Sequence, residues 1–134
     1  MAQYADIENV ILSPEEPQAG QSVTLYVDVR NLYSGPISVK LIGTATYYYP
    51  GIGTLPKIFS FEPEYSNVNP GLACRFMEVF TMPVCTWMTA YFTSFWYGSD
   101  GEWHPDDTME YPIKEETIPE EEFSDFTISN ISKV

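Results

Sequence analysis

The chain has 134 residues, long enough for one domain that buries a single core without metal or disulfide staples. Apolar residues make up 44% and aromatics 16%, which excludes intrinsic disorder, and 19 acidic against 6 basic side chains leave a net charge of -13. Phosphate recognition needs clustered Lys and Arg, so this balance argues against a nucleic-acid partner and disfavours an anionic membrane surface.

In chain order the dominant period is two. A first strand is predicted over about Ala5–Leu12, ending in the turn Ser13-Pro14-Glu15-Glu16-Pro17-Gln18-Ala19-Gly20. From Ser22 to Asn31, Val23, Leu25, Val27 and Val29 alternate with Ser22, Thr24, Tyr26, Asp28 and Arg30, the pattern of a half-buried antiparallel strand. Ile37, Val39 and Leu41 open a third strand that runs to Tyr49, and a fourth is predicted over about Leu55–Glu62. The remaining three are expected at about Leu72–Thr81, Cys85–Tyr97 and Glu102–Tyr111. Between the last two, Asp100-Gly101 supplies the positive φ angles of a tight hairpin. The 11 prolines and 8 glycines break most helical patterns, and their spacing suits an all-β sandwich or barrel.

After Pro112 the character changes. The domain is expected to end at residue 113, followed by an acidic linker over 114–122 and a β-prone arm over 123–134. Residues 114–134 hold six acids and two lysines, net -4, so the body keeps the remaining -9. A terminal strand behind such a linker is expected to pair, either with its own sheet or with a neighbouring subunit's edge. Phe126, Ile128 and Ile131 would be its contacts. No window of about 18 apolar residues is present, so no membrane-spanning helix is expected. The stretch Met1–Asp6 lacks the basic start and apolar core of a secretory signal, from which export by that route is not expected unless a leader has been removed.

The opening strand, the turn Ser13-Pro14…Pro17-Gln18-Ala19-Gly20 and the run Val23-Thr24-Leu25-Tyr26-Val27-Asp28-Val29-Arg30-Asn31 resemble the start of the cell-adhesion-related domain found in bacteria (CARDB). Phe80-Thr81-Met82-Pro83 and the strand after it resemble the later passage between strands in such domains. The resemblance covers roughly residues 5–111 and weakens between Tyr47 and Asn69. It implies an immunoglobulin-like or fibronectin-III-like β-sandwich of about seven antiparallel strands, with surface binding or scaffolding as its role and no catalytic residues.

Several side-chain groups carry candidate chemistry. Asp100, Glu102, His104, Asp106 and Asp107 cluster after the last hairpin turn; the carboxylates are candidate Ca²⁺ ligands, although their spacing is not that of an EF-hand. A solvated acidic hairpin end is the simpler reading in a chain this acidic. His104 is the lone histidine, with no GxSxG-type nucleophile to serve, so no catalytic site and no cofactor are expected. Cys74 and Cys85 fit neither zinc nor CxxC spacing, leaving a bridge and two buried free thiols equally open. The strand Cys85–Tyr97 is bulky at both parities: Trp87, Tyr91, Phe95 and Tyr97 on one, Met88, Ala90, Phe92 and Trp96 on the other. Either its outer face is covered by another subunit or a bulge swaps parity mid-strand. Tyr47, Tyr48 and Tyr49 with Trp103 form a candidate sugar-stacking platform, with closure of one end of the sandwich as the plainer alternative. Asn130-Ile131-Ser132 is a glycosylation sequon of a kind common by chance.

The expected function is non-enzymatic: a virion-surface subunit, a capsid decoration or tail component, that self-associates or docks on a lattice. Trp87, Tyr91, Phe95 and Tyr97 would form the contact face, with the arm beside it. The alternative is an extracellular adhesive or carbohydrate-binding module of a microbial cell surface.

Overall fold

A computed structural model of the chain describes residues 2–61 and 64–116. Eight strands run in order: β1 (Ala5–Ser13), β2 (Ser22–Asn31), β3 (Ile37–Tyr49), β4 (Gly53–Phe59), β5 (Tyr65–Val68), β6 (Ala73–Thr81), β7 (Met88–Tyr97) and β8 (Trp103–Lys114). All pairings are antiparallel, in two sheets: β1-β2-β6, and β4-β3-β7-β8 with β5 also on β3. The inward side chains of both sheets share one core, so the molecule is an all-β two-sheet sandwich.

Alternation explains most of this. Val23, Leu25, Val27 and Val29 of β2 are fully buried, as are Val39 and Ala45 of β3. In β1 the inward set is Ala5 and Ile7, then Val10 and Leu12, a change of parity. A bulge between Ile7 and Asn9 absorbs the extra residue opposite β2. Gly43 of β3 is required by close packing, because a Cβ there would lie 2.6 Å from the Phe61 ring and 3.0 Å from Phe92. Phe59, Phe61, Phe80 and Phe92 form a ring cluster beside it, with centroids 5.3 to 6.2 Å apart.

Three expectations need correction. The strands number eight, because Tyr65–Val68 pairs with the first half of β3 (Ile37↔Val68, Val39↔Tyr65) while β4 takes the second half. That short segment sits among Asn and Pro residues and carries no alternation to reveal it. The predicted strand from Cys85 begins only at Met88; Cys85–Trp87 precede it, although Trp87 O still accepts from Tyr48 N at 3.0 Å. The final strand runs through Pro112 to Lys114, so the acidic linker does not begin at residue 114. The rest of that linker beyond Glu116, and the arm with Phe126, Ile128 and Ile131, lie outside the described residues.

The parity question in β7 is also answered. Met88, Ala90, Phe92 and Ser94 all face inward without interruption. The irregularities fall on β8, which carries one extra residue opposite Thr93–Phe95 and another opposite Met88–Thr89.

Candidate functional site

With the even positions of β7 inward, its odd positions stand on the outer face of the five-stranded sheet. Tyr91, Phe95 and Tyr97 are therefore brought together on one surface, and Trp87 extends the row beyond the strand's start, stacked on Tyr48 at 6.5 Å. The neighbours set the character of the face. Register places Lys40, Ile42, Thr44 and Thr46 of β3 opposite Phe95, Thr93, Tyr91 and Thr89, and Ile58 of β4 opposite Thr44. On the other side stand Pro105, Thr108, Glu110 and Pro112 of β8. Ile58 is 72% exposed, Ile42 48%, Tyr97 45% and Tyr91 41%. Lys40 lies over the Phe95 ring at 5.1 Å and the Trp103 ring at 4.9 Å, and Tyr97 meets Trp103 edge-on at 5.1 Å. No carboxylate occupies an outer position of β3, β4 or β7, and β8 contributes one, Glu110. Ile42 and Ile58 were missed at the sequence level. Their signal was an isoleucine at the parity opposite the core set, visible once Leu41, Ala45 and Phe59 are known to point inward.

The acidic cluster after the β7–β8 turn divides. Asp100 turns to His104, whose Nε2 lies 2.8 Å from Oδ2; this bond holds the Asp100 carboxyl below its ordinary range. The His104 ring also stacks on Trp96 at 4.4 Å. Gly98 makes room for the pair, since a Cβ there would come within 2.7 Å of both side chains. Glu102 is exposed.

Asp106 and Asp107 instead hold β1. The Asp106 carboxylate accepts from Gln3 N, Tyr4 N and Ala5 N, each at 2.7 Å, and Asp107 Oδ2 accepts from Ile7 N at 2.9 Å. Buried Ser94 completes the latch, donating to Ala5 O at 2.6 Å and accepting from Asp107 N at 3.1 Å. A side-chain latch thus joins the edge of one sheet to the other. Among the described residues no three His, Cys, Asp or Glu side chains are grouped to hold a metal ion.

The tyrosine-tryptophan platform is not assembled. Tyr47 pairs with Met88 at one end of β7 and Trp103 with Tyr97 at the other. Nine residues of strand separate them, about 30 Å. Tyr48 and Tyr49 remain exposed at the first end. At the second end, Tyr4 meets Tyr33 and Trp96 edge-on at 4.8 and 4.9 Å, walling a shallow cleft with Pro36 and Tyr97.

Cys74 and Cys85 are buried free thiols. Cys74 lies near the start of β6 and Cys85 beyond its far end. The seven residues from Cys74 to Thr81 span about 23 Å, and four more can return about 14 Å at most, short of disulfide range. Burial pushes the Cys74 thiol up to about 12, so it is inert as a nucleophile near neutrality.

No protein-family model matches the chain, and no curated protein matches it. Among solved structures it is similar to the alkylpurine DNA glycosylase AlkC of Pseudomonas fluorescens, solved bound to DNA containing an abasic site analog (TM-score 0.53, 12% identity, 81% of this chain). This chain spans 30% of that protein's length. It is also similar to the sporulation control protein Spo0M of Bacillus subtilis (TM-score 0.46, 17% identity, 96% of this chain and 56% of that one). A third is a Niemann-Pick type C2 protein from Japanese carpenter ant (TM-score 0.43, 9% identity, 84% and 92%). At such identities the likeness concerns the course of the backbone and carries no activity.

Proposed function

We propose that the protein is a non-enzymatic structural subunit that docks or self-associates through the outer face of its five-stranded sheet, in a surface assembly of which a virion decoration or tail component is the favoured setting. Its scaffold is read as an immunoglobulin- or fibronectin-III-like sandwich of the CARDB kind. Support for the scaffold comes from strand order: β1-β2-β6 and β3-β7-β8 follow the A-B-E and C-F-G order of such sandwiches. The fourth and fifth strands flank β3, where the immunoglobulin constant type would place a strand on the opposite sheet.

The observation that carries the proposal is the exposed apolar face just described, almost free of acid in a chain of net charge -13. Contiguous exposed rings and aliphatics rimmed by polar groups mark interaction surfaces. The non-enzymatic reading draws on His104, whose ring is stacked on Trp96 and whose Nε2 is bonded to Asp100. The arm with Phe126, Ile128 and Ile131 is proposed as an auxiliary contact.

Sedimentation of the full chain tests this. An assembly that Ile58→Asp with Tyr91→Asp returns to monomer is the expected result. The alternative, a carbohydrate-binding or adhesive module at a cell surface, draws on exposed Tyr48, stacked on Trp87, and Tyr49. A monomer with saturable glycan binding, abolished by Tyr48→Ala, would overturn the first reading in its favour.

A further inference from the structure

We infer that the outer face of the five-stranded sheet is a self-complementary seat for a second copy of this chain, with Lys40 of each copy set against Glu110 of the other. The inference rests on the docking role just proposed and specifies its partner. Its basis is the charge pattern. Across the outer positions of β3, β4, β7 and β8 the strand interiors carry one cation, Lys40, and one anion, Glu110, and neither is in an ion pair among the described residues. Among the described residues the other carboxylates lie off these positions, Glu115 and Glu116 bordering the far end beside Trp87 and Tyr91, so two copies meet with least repulsion over the middle of this face.

The two charges cannot satisfy each other within one copy. Lys40 stands opposite Phe95 and Glu110 opposite Tyr91, on strands flanking β7. Two strand spacings across and four residues along put them about 16 Å apart. Thr93 is the midpoint. A two-fold axis lying in the contact plane and passing over Thr93 lays each Lys40 on the other copy's Glu110, and the symmetry forms both pairs at once. With those separations the strands of the two copies cross at roughly 70°, nearer the orthogonal class of sheet packing than the aligned one. Crossed at that angle, two four-stranded faces about 19 Å wide overlap over roughly 400 Å² of flat area per copy before side-chain relief. That is about half of the roughly 800 Å² per partner of a standard interface, in keeping with a weak, concentration-dependent dimer. Ile42, Ile58 and Tyr91 supply apolar anchors.

Charge reversal in the full chain is the test, read by sedimentation equilibrium from low to high micromolar concentration. Wild type is expected to dimerise. Lys40→Glu and Glu110→Lys are each expected to weaken the dimer at least tenfold. Mixing the two variants one to one should restore it, because each then offers the charges the other lacks; both must be folded for this to occur, which controls for misfolding. A monomer at every concentration would overturn the inference, as would a mixture no tighter than its components. Association lost on Ile58→Asp with Tyr91→Asp but indifferent to the reversals would overturn the paired dimer and leave the docking role standing. If Phe126→Asp with Ile128→Asp converts a monomeric chain into a dimer, the chain's own tail is the occupant and the second copy is excluded.

Discussion

The two sheets are finished in opposite ways. On the outer face of the three-stranded sheet, charges are paired within the chain: Arg30 with Glu8 at 2.7 Å, and Arg75 with Asp28 at 2.8 Å, the guanidinium also lying over Tyr26. On the five-stranded sheet the outer face is threonine, isoleucine and aromatic ring, and its two charges are left for something else. An acidic protein can thus confine its carboxylates to places where they are bonded or solvated and clear one surface. Exposed Ile11, Met77 and Val79 show that the three-stranded face is not purely polar; what distinguishes it is that its two arginines are already paired within the chain.

The contrast is sharpened most by the latch between the sheets. Asp107→Ala removes a buried acceptor and leaves Ile7 N unpaired, with an expected loss of about 2–3 kcal/mol in chemical denaturation. A loss under about 0.5 kcal/mol would mean that Asp106 and Ser94 carry the latch and Asp107 adds little to it.

The paired face should respond to acid in two opposing ways. Hydrogen bonds from Arg75, outweighing partial burial, hold Asp28 below its ordinary value of 3.8. Its stabilisation is therefore present above that value and lost as pH falls through the lower folded one. Asp28→Ala should cost about 1 kcal/mol at neutral pH, Arg75 being half exposed, and remove this acid sensitivity. Asp6 behaves in reverse. Burial, then the charges of Asp107 and Glu8, raises its carboxyl above 3.8, so its contribution is full below that value and lost as pH rises through the raised one. Asp6→Asn should raise Tm at pH 7 and leave it nearly unchanged at pH 3; equal shifts at both would break the assignment.

The smallest effect is expected on the cleared face. Ile58→Thr in dilute, monomeric protein should change stability by less than about 0.5 kcal/mol, because its side chain is already in water. A larger loss would show that the residue packs within its own chain.

The sequence pattern identified seven of the eight strands within about three residues and nearly all of the β2 core, because a side chain on a pleated strand is either in or out every second residue. The Asp-Gly hairpin was legible for the same local reason. The fifth strand was not, since Tyr65–Val68 is stabilised by an open edge of β3 rather than by its own pattern. Nor was the orientation of β7, whose two parities are both apolar; only the position of the opposing sheet decides which is inside. The acidic cluster was read as one group, yet Asp106 and Asp107 meet partners about one hundred residues away in sequence. Local pattern specifies which segments extend and which residues are apolar. Which apolar face is covered, and which carboxylate finds an N–H, depends on contacts that exist only once the sheets have packed.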